Sequence, residues 1–371
     1  MLPAGIEAKV ERGRGLSVEE AALLWESAGD DELARLATTA RDHRFPPRVA
    51  TYLVMAIVNY TNVCVARCDY CAFYRLPRHP EGYLLDVDQL SARIEALRAL
   101  GGTLVAFNGG FHPKLKLQDY GTLFREIHRR FPDLTFFEMT VAEFMYSCKA
   151  SRLSYADGAA LLREHGVQWV TGGGAEVLTD SFRLRHSPLK YTVADYYDAQ
   201  RAILEGGIGS TATMVIGFDE TLQERLEHLE GLRRFQDEVG GALPSFLCWT
   251  YKPWNTELGG TEIPLREYLR WLAICRLFLT NVSHVRTSVL TRNEDALRGL
   301  AYGADDFDLP TEDEVTEQAG AVISHDFEAI LAAARKLGIT PVHRAPFPVT
   351  GATQPERVHG VRLAPDESSA R

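Results

Sequence analysis

Residues 52–75 read YLVMAIVNYTNVCVARCDYCAFYR, in which an apolar, β-branched run ends and three cysteines follow. The run at residues 52–60 is typical of a buried parallel strand, because Val and Ile side chains pack well on both faces of a covered sheet. Cys64, Cys68 and Cys71 then have the spacing C-x3-C-x2-C, which gathers three thiols in one short loop. This stretch therefore predicts a strand that leads directly into a site made of thiols.

The same alternation of a short apolar run and a longer amphipathic run continues along the chain. Eight strand candidates recur at intervals of about 30 to 40 residues, with helices between them. Such spacing indicates parallel βα units, and eight units predict an α/β fold that closes as a (βα)8 TIM-type barrel. We expect an N-terminal helical segment over residues 1–47, in which the capping-box-like SVEE at 17–20 opens a helical stretch over about 17–43. The barrel domain would span 48–346, and a short disordered tail 347–371.

The composition of the 371 residues indicates a globular protein that acts on a small molecule. Hydrophobic residues make up 46% of the chain, which is enough for a large core. The formal net charge of -10 and the lack of a Lys/Arg-rich run argue against a nucleic-acid partner. We find no signal peptide and no apolar stretch of about 18 residues. We therefore expect a cytoplasmic protein with a small-molecule substrate and no membrane insertion.

The three clustered cysteines predict a metal centre at the active end of the barrel. The loop after a barrel strand lies on the C-terminal face, where barrel enzymes carry their chemistry. A structural zinc site normally uses four ligands, and the chain offers no second CxxC or HxxxH partner. Because an iron–sulfur cubane ordinarily takes four cysteines, three imply a [4Fe–4S] cluster with one open iron. A non-catalytic iron–sulfur or zinc protein is the alternative of a different class.

The other three cysteines are expected to be ordinary packing residues. They are separated by long intervals, so they do not form a second cluster motif. Buried free cysteines behave as small hydrophobic side chains. We therefore predict no second cluster from Cys148, Cys248 and Cys275.

A C-x3-C-x2-C loop after the first strand of a βα barrel resembles that of the radical S-adenosylmethionine enzymes. The resemblance implies that Cys64, Cys68 and Cys71 hold a [4Fe–4S] cluster whose open iron binds S-adenosylmethionine. One electron, delivered by an external one-electron reductant, would cleave that cofactor and give a 5'-deoxyadenosyl radical that abstracts a hydrogen atom. The resemblance also implies that Tyr70 packs near the adenine, with an ordinary packed aromatic as the alternative.

Glycines and one carboxylate at later strand ends match further features of that family. Gly109 and Gly110, in FNGGFHP, correspond to a glycine pair whose bare backbone approaches the methionyl amine. GGGAE ends with Glu176, which in the resembling subgroup hydrogen-bonds the ribose hydroxyls of the cofactor. Gly217, which closes STATMVIG, is expected to let the adenine edge approach its strand, although such a glycine is commonly a turn residue.

Longer strings narrow the resemblance to one subgroup. Several strings resemble those of the cyclase family of the menaquinone futalosine pathway. They are the opening stretch, GGFHP, GGGAE, ATMVIGFDET, WTYKPWNTELGG and YGADDFD. This implies conversion of dehypoxanthinyl futalosine to its cyclic form, by abstraction of the C4' hydrogen and radical attack on the benzoate ring. The sister synthase of that pathway and the deazaflavin-forming subunits remain alternatives. Residues 285–289 and 303–308 depart from the family's usual strings, which leaves the substrate contacts open.

That reaction requires a cation for the substrate carboxylate, a cavity for the aryl ring and a base. Arg286 lies near the mouth of the barrel in the seventh strand candidate, 285–291, and Lys252 follows the sixth, 243–251, so either is a candidate to bind the carboxylate. Trp249 belongs to a group of aromatics that could line the cavity. The candidates for the base are His112, beside the glycine pair, and Glu143, after the third strand candidate, 134–141.

Overall fold

The computed structural model describes residues 4–346, in which parallel strands alternate with helices. The strands are β1 (Val49–Asn59), β2 (Leu104–Asn108), β3 (Thr135–Phe137), β4 (Trp169–Val170), β5 (Gly209–Ser210), β6 (Ala212–Ile216), β7 (Ser245–Thr250), β8 (His284–Thr287), β9 (Asp306–Asp313) and β10 (Thr340–His343). The α-helices are α1 (Ala4–Glu11), α2 (Val18–Ser27), α3 (Asp30–Asp42), α4 (Val87–Ala99), α5 (Leu117–Arg130), α6 (Val141–Ser151), α7 (Tyr155–Glu164), α8 (Asp180–His186), α9 (Val193–Glu205), α10 (Leu222–Glu238), α11 (Leu265–Phe278), α12 (Val289–Arg292), α13 (Glu314–Gln318) and α14 (Phe327–Lys336). A 3-10 helix spans Asn293–Tyr302.

The hydrogen-bonded sheet is parallel and follows the order β3-β2-β1-β9-β8-β7-β6, with β10 beside the start of β1. Strand β1 lies at its centre and pairs with β2 on one side and β9 on the other. Because the strands are parallel, all of their carboxyl ends meet at one end of the fold. The cysteine loop that follows β1 therefore lies near the ends of β2 and β9.

The ring of strands is completed through β4 and β5, which form a separate short ladder. Strand β5 leads into β6 after Thr211, so the two occupy one position in the ring. On the other side, the Glu138 N–H donates to the Trp169 carbonyl at 3.0 Å, and the Thr171 N–H donates to the Met139 carbonyl at 2.9 Å. The eight ring positions confirm the predicted TIM-type α/β barrel.

The N-terminal helices cover the outside of the barrel rather than its mouth. Ser17 and Glu20 form the capping box of α2, as the SVEE sequence predicts. The predicted helical stretch consists of two helices, α2 and α3, and Gly29 is the N-cap of the second. Arg270 of α11 donates to the Asp30 carboxylate at 2.7 Å, and Trp25 meets Trp271 edge to face. These contacts fix α2 and α3 against the outer helix layer.

Five elements were not expected from the sequence: α6, α8, α12, α13 and β10. Residues 289–291 of α12 lie in the run 285–291, which predicts a strand. The predicted tail at residues 347–371 lies outside the described residues. Within residues 4–346, we find no helix with both the length and the apolar character needed to span a membrane.

Candidate functional site

A cavity of about 270 Å³ opens at the carboxyl ends of the strands and extends into the barrel interior. Most of the residues singled out in the sequence line it. They are Cys64, Cys68, Tyr70, Cys71, Gly109, Gly110, Glu176, Trp249, Lys252 and Arg286. His112, Glu143 and Gly217 are not among its lining residues. The deeper wall is apolar and includes Met55, Ile57, Leu104 and Leu290.

The cysteine loop is held in place by backbone hydrogen bonds from three directions. The Cys64 N–H donates to the Arg75 carbonyl at 2.9 Å, which closes the loop on itself. The Val65 N–H donates to the carbonyl of Phe111 at 3.2 Å, which ties the loop to the segment after β2. The Leu258 N–H donates to the carbonyl of Asp69 at 2.8 Å, which ties it to the segment after β7. The thiols are thus attached to a well-anchored backbone.

The three thiols suit an iron–sulfur cluster better than a single zinc ion. In the described part of the chain, no three His, Cys, Asp or Glu side chains are arranged to hold one metal ion. In a cluster each cysteine binds a different iron atom, so the thiols need not converge on one point. Burial raises the pKa of Cys68 to about 12 and also raises that of Cys71. Thiolates at these positions therefore need a cationic partner, which iron supplies.

The glycine pair after β2 packs tightly against the cysteine loop. A Cβ on Gly109 would lie 2.6 Å from the Tyr60 ring, and a Cβ on Gly110 would lie 2.4 Å from the Val63 carbonyl oxygen and 2.8 Å from the Cys64 Cβ. The Gly110 N–H also donates to the Thr61 carbonyl at 2.9 Å. The missing Cβ atoms thus face the protein rather than an incoming ligand. Close packing is the physical reason for glycine at both positions.

Glu143 does not have the position that its candidacy as a base requires. Its Oε1 accepts the Gly109 N–H at 2.9 Å and the hydroxyl of Tyr60, while its Oε2 accepts the N–H and hydroxyl of Thr140 at 3.0 and 2.7 Å. Burial raises the pKa of Glu143 to about 7, opposed by these hydrogen bonds. Both oxygens are thus occupied by protein donors. Glu143 caps α6 and supports the glycine pair from below.

His112 and Gly217 also lie outside the cavity lining. The Nδ1 of His112 faces the Lys114 N–H at 3.3 Å, and burial lowers the pKa of this half-buried imidazole. Gly217 has a φ of +99°, and its N–H donates to Glu220 Oε1 at 2.8 Å. A Cβ there would lie 2.8 Å from the Ile263 side chain. The geometry therefore supports neither a base at His112 nor an adenine contact at Gly217, which is a turn glycine.

Glu176 joins a buried polar group on the opposite wall. Lys190 Nζ donates to Glu176 Oε1 at 3.2 Å and to the Tyr70 hydroxyl at 3.1 Å. Glu176 Oε2 is buried and finds no hydrogen-bond partner among the described residues. The residue also adopts a φ of +42°, which is a strained conformation for a side chain other than glycine. Strain and an unsatisfied oxygen in a cavity indicate a site that a polar ligand completes.

Lys190 was not found from the sequence. It lies in the loop SPLKYTV before α9, where a single lysine carries no motif. In the structure its side chain is 9% exposed and lines the cavity. It is the residue that links Tyr70, from the cysteine loop, to Glu176, after β4.

The two predicted cations differ in how fully they are paired. Arg286 donates to Asp306 Oδ2 at 2.7 Å and also to the carboxylate of Asp308, so two carboxylates offset its charge. Lys252 Nζ pairs with Glu262 Oε2 at 2.8 Å. An ammonium group has three donors, so Lys252 keeps more capacity for an anionic ligand.

Comparisons with known proteins give the family of the chain and proteins of similar fold. The chain matches the Radical SAM superfamily over residues 58–232 and the CofH/MqnC C-terminal region over residues 242–347. Its fold is similar to that of methylornithine synthase (PylB), with a TM-score of 0.69 over 91% of this chain and 97% of that chain, at 16% identity. Together with the cysteine loop, these matches define a radical S-adenosylmethionine enzyme.

The sequence relatives narrow this class. The chain is 35% identical to the cyclic dehypoxanthine futalosine synthase of Halalkalibacterium halodurans, over 92% of each chain. It is 32% identical to the aminodeoxyfutalosine synthase of Thermus thermophilus, over 85% of this chain and 86% of that one. The chain therefore belongs to the radical S-adenosylmethionine superfamily, in the group that contains these futalosine synthases. Members of the superfamily use a [4Fe–4S] cluster and S-adenosylmethionine.

Proposed function

We propose that this chain cyclises dehypoxanthinyl futalosine to cyclic dehypoxanthinyl futalosine in menaquinone biosynthesis. The observation that carries this proposal is the 35% identity to a cyclic dehypoxanthine futalosine synthase over 92% of both chains. The cavity supports it, because cysteines, a polar wall and a deep apolar wall enclose one space. A substrate with a carboxylate, an aryl ring and a sugar needs such a mixed lining.

We propose that Cys64, Cys68 and Cys71 hold the [4Fe–4S] cluster and that the residues around Glu176 bind S-adenosylmethionine. When bound, the cluster and cofactor supply a 5'-deoxyadenosyl radical that abstracts a hydrogen atom from the substrate. The Oε2 of Glu176 would accept hydrogen bonds from the ribose hydroxyls. Tyr70 is held beside Glu176 through Lys190 and would contact the adenine. The backbone of Gly109 and Gly110 would lie under the methionyl group.

We propose that Lys252 binds the substrate carboxylate and that Trp249 lies along the aryl ring. Both line the cavity, and the side chain of Lys252 is 10% exposed, so a contact there is shielded from water. The indole N–H of Trp249 has no hydrogen-bond partner in the described part of the chain and would donate to the substrate. Arg286 is the weaker candidate, since its guanidinium already binds two carboxylates. Positioning of the reacting groups is the main task of these residues.

The electron that starts the reaction must come from outside the chain, so we propose an external one-electron reductant. The cysteine loop reaches the protein surface at Arg67, which is exposed between two cysteines. An electron donor that docks there would come close to the cluster without entering the cavity.

A test of this function compares three substrates with reduced, iron-loaded protein under anaerobic conditions. Each incubation contains S-adenosylmethionine and either dehypoxanthinyl futalosine, the enolpyruvyl benzoate of the sister synthase, or tyrosine. We expect 5'-deoxyadenosine to accumulate with dehypoxanthinyl futalosine, together with a product that lacks two hydrogen atoms of the substrate. Deuterium at C4' should pass into 5'-deoxyadenosine, since ring closure begins at that carbon. Turnover of the benzoate or of tyrosine, with none of dehypoxanthinyl futalosine, would contradict the proposal.

Glu176→Ala should weaken S-adenosylmethionine binding by about tenfold or more, because each charge-assisted hydrogen bond contributes roughly 1.5 to 3 kcal/mol. Its iron content should equal that of the wild type. Equilibrium binding of the cofactor to anaerobic, iron-loaded protein measures the effect. Glu164→Ala, at an exposed position of α7, is the matched control. Unchanged cofactor affinity in the Glu176 variant would remove this residue from the site.

A further inference from the structure

Asp313, which the sequence analysis did not single out, lines the same cavity. It is the last residue of β9 and lies beside Ile57 of β1, at the carboxyl ends of two adjacent strands. The residue is 3% exposed. Its Oδ2 accepts the Thr316 hydroxyl at 2.6 Å, whereas its Oδ1 is buried and has no hydrogen-bond partner within residues 4–346. One carboxylate oxygen is therefore fixed, and the other is left without a hydrogen bond in this part of the chain.

Asp313 differs from the other carboxylates of the cavity wall. Glu176 is paired with Lys190, and Asp308 with Arg286. No ion pair involves Asp313 within residues 4–346. A carboxylate that is paired with a cation is held ionised and is a weak proton acceptor. Asp313, which has no such cation beside it, is therefore the carboxylate of this wall best able to accept a proton.

The pKa of the Asp313 carboxyl lies near neutral pH. Burial raises the pKa of its carboxyl to about 7, and the side chains of Thr316 and Asn59 oppose this rise. A group with a pKa near the working pH is effective as a general base, because it is ionised often enough and still binds a proton well. His112 and Glu143, the candidates from the sequence, do not line the cavity. Both carboxylate oxygens of Glu143 also accept hydrogen bonds from the protein.

We propose that Asp313 is the proton acceptor of the cyclisation, an inference that rests on the proposed function. When the sugar carbon bonds to the benzoate ring, the ring carbon that is attacked still carries its hydrogen. That hydrogen leaves as a proton to Oδ1 of Asp313, and the electron pair of the broken C–H bond stays in the ring. The ring then holds one electron too many and gives it to a one-electron acceptor of the iron–sulfur class. The benzoate ring is thereby aromatic again.

The test is the number of cyclic products formed for each 5'-deoxyadenosine. In Asp313→Asn, hydrogen abstraction from C4' should continue within about twofold of the wild-type rate, while this ratio falls by about tenfold or more. Deuterium from C4' should still appear in 5'-deoxyadenosine. Glu312→Gln is the matched control, because Glu312 pairs with Arg93 and does not line the cavity. Its ratio should equal that of the wild type.

A second pair of variants covers the case in which Asp313→Asn folds poorly. The side chains introduced by Asp313→Glu and Asp313→Gln have the same size. If Asp313 acted through packing alone, the two variants would form the same number of cyclic products for each 5'-deoxyadenosine. The proton-acceptor role predicts a ratio at least severalfold higher in the Glu variant. Equal ratios in that pair, or an unchanged ratio in a well-folded Asn variant, would overturn the proposal. If the wild type does not turn over dehypoxanthinyl futalosine, the proposed function fails and the role of Asp313 falls with it.

Discussion

Serine in place of any one of Cys64, Cys68 or Cys71 is expected to abolish cleavage of S-adenosylmethionine. Each thiolate would bind one iron, and a serine hydroxyl is a much poorer ligand because it stays protonated at neutral pH. The wild type should bind about four irons per chain after anaerobic reconstitution. Each variant should bind clearly fewer irons or hold a cluster that does not cleave the cofactor. Iron analysis and the yield of 5'-deoxyadenosine measure the two effects.

The other cysteines supply the control for that experiment. Cys148, Cys248 and Cys275 are fully buried and do not line the cavity. Serine at these positions should therefore leave the number of irons per folded chain and the cleavage activity unchanged. If one of them proved as essential as the thiols of the loop, the assignment of the cluster ligands would be wrong.

Gly110→Ala is expected to have a comparably large effect through packing rather than ligand loss. The added methyl group would lie 2.4 Å from a backbone oxygen and 2.8 Å from the Cys64 Cβ, and neither can move without shifting the cysteine loop. Overpacking of this kind costs about 1 to 3 kcal/mol, and here the displaced group carries a cluster ligand. Iron content should fall below about half of the wild-type value, and cofactor cleavage by about tenfold or more.

Gly5→Ala is a matched control for that variant. Gly5 lies on α1, and a Cβ there would have no atom of residues 4–346 within 4 Å. Its iron content and activity should equal those of the wild type. A Gly110→Ala protein with full iron content and activity would show that the contact between the glycine pair and the cysteine loop is looser than these distances imply.

The barrel was predictable because its strands have a strong signal. Runs such as residues 52–60 and 212–216 are apolar and β-branched, and each is followed by a turn or a longer amphipathic run. Helix α6 was missed because seven of its eleven residues are buried, so it lacks the polar face that marks an amphipathic helix. Strand β10 has a proline among its four residues and no buried side chain, which removes the usual signal of a strand.

The sequence predicted those site residues that belong to a recognisable motif. It did not predict residues whose role depends on the direction in which the side chain points. The spacing of Cys64, Cys68 and Cys71 is visible in the sequence, and the structure brings the three to one cavity. Position after a strand does not reveal which way a side chain points, so Glu143 was proposed as a base although it faces the protein. Asp313 was overlooked because it stands in the acidic run Glu-Asp-Glu, which is typical of a solvated surface.

The short β4–β5 ladder has a consequence for how the enzyme holds its ligands. This ladder has only two residue pairs, Trp169 with Gly209 and Val170 with Ser210, and the Val215 N–H adds a bond to the Glu176 carbonyl at 3.0 Å. We expect this part of the barrel to open more readily than the longer ladders, because fewer backbone hydrogen bonds hold it. A cofactor that binds the ordered wall stabilises it by mass action. We therefore expect cofactor binding and closure of this part of the barrel to be coupled, so that a reactive intermediate is better shielded from water when the cofactor is bound.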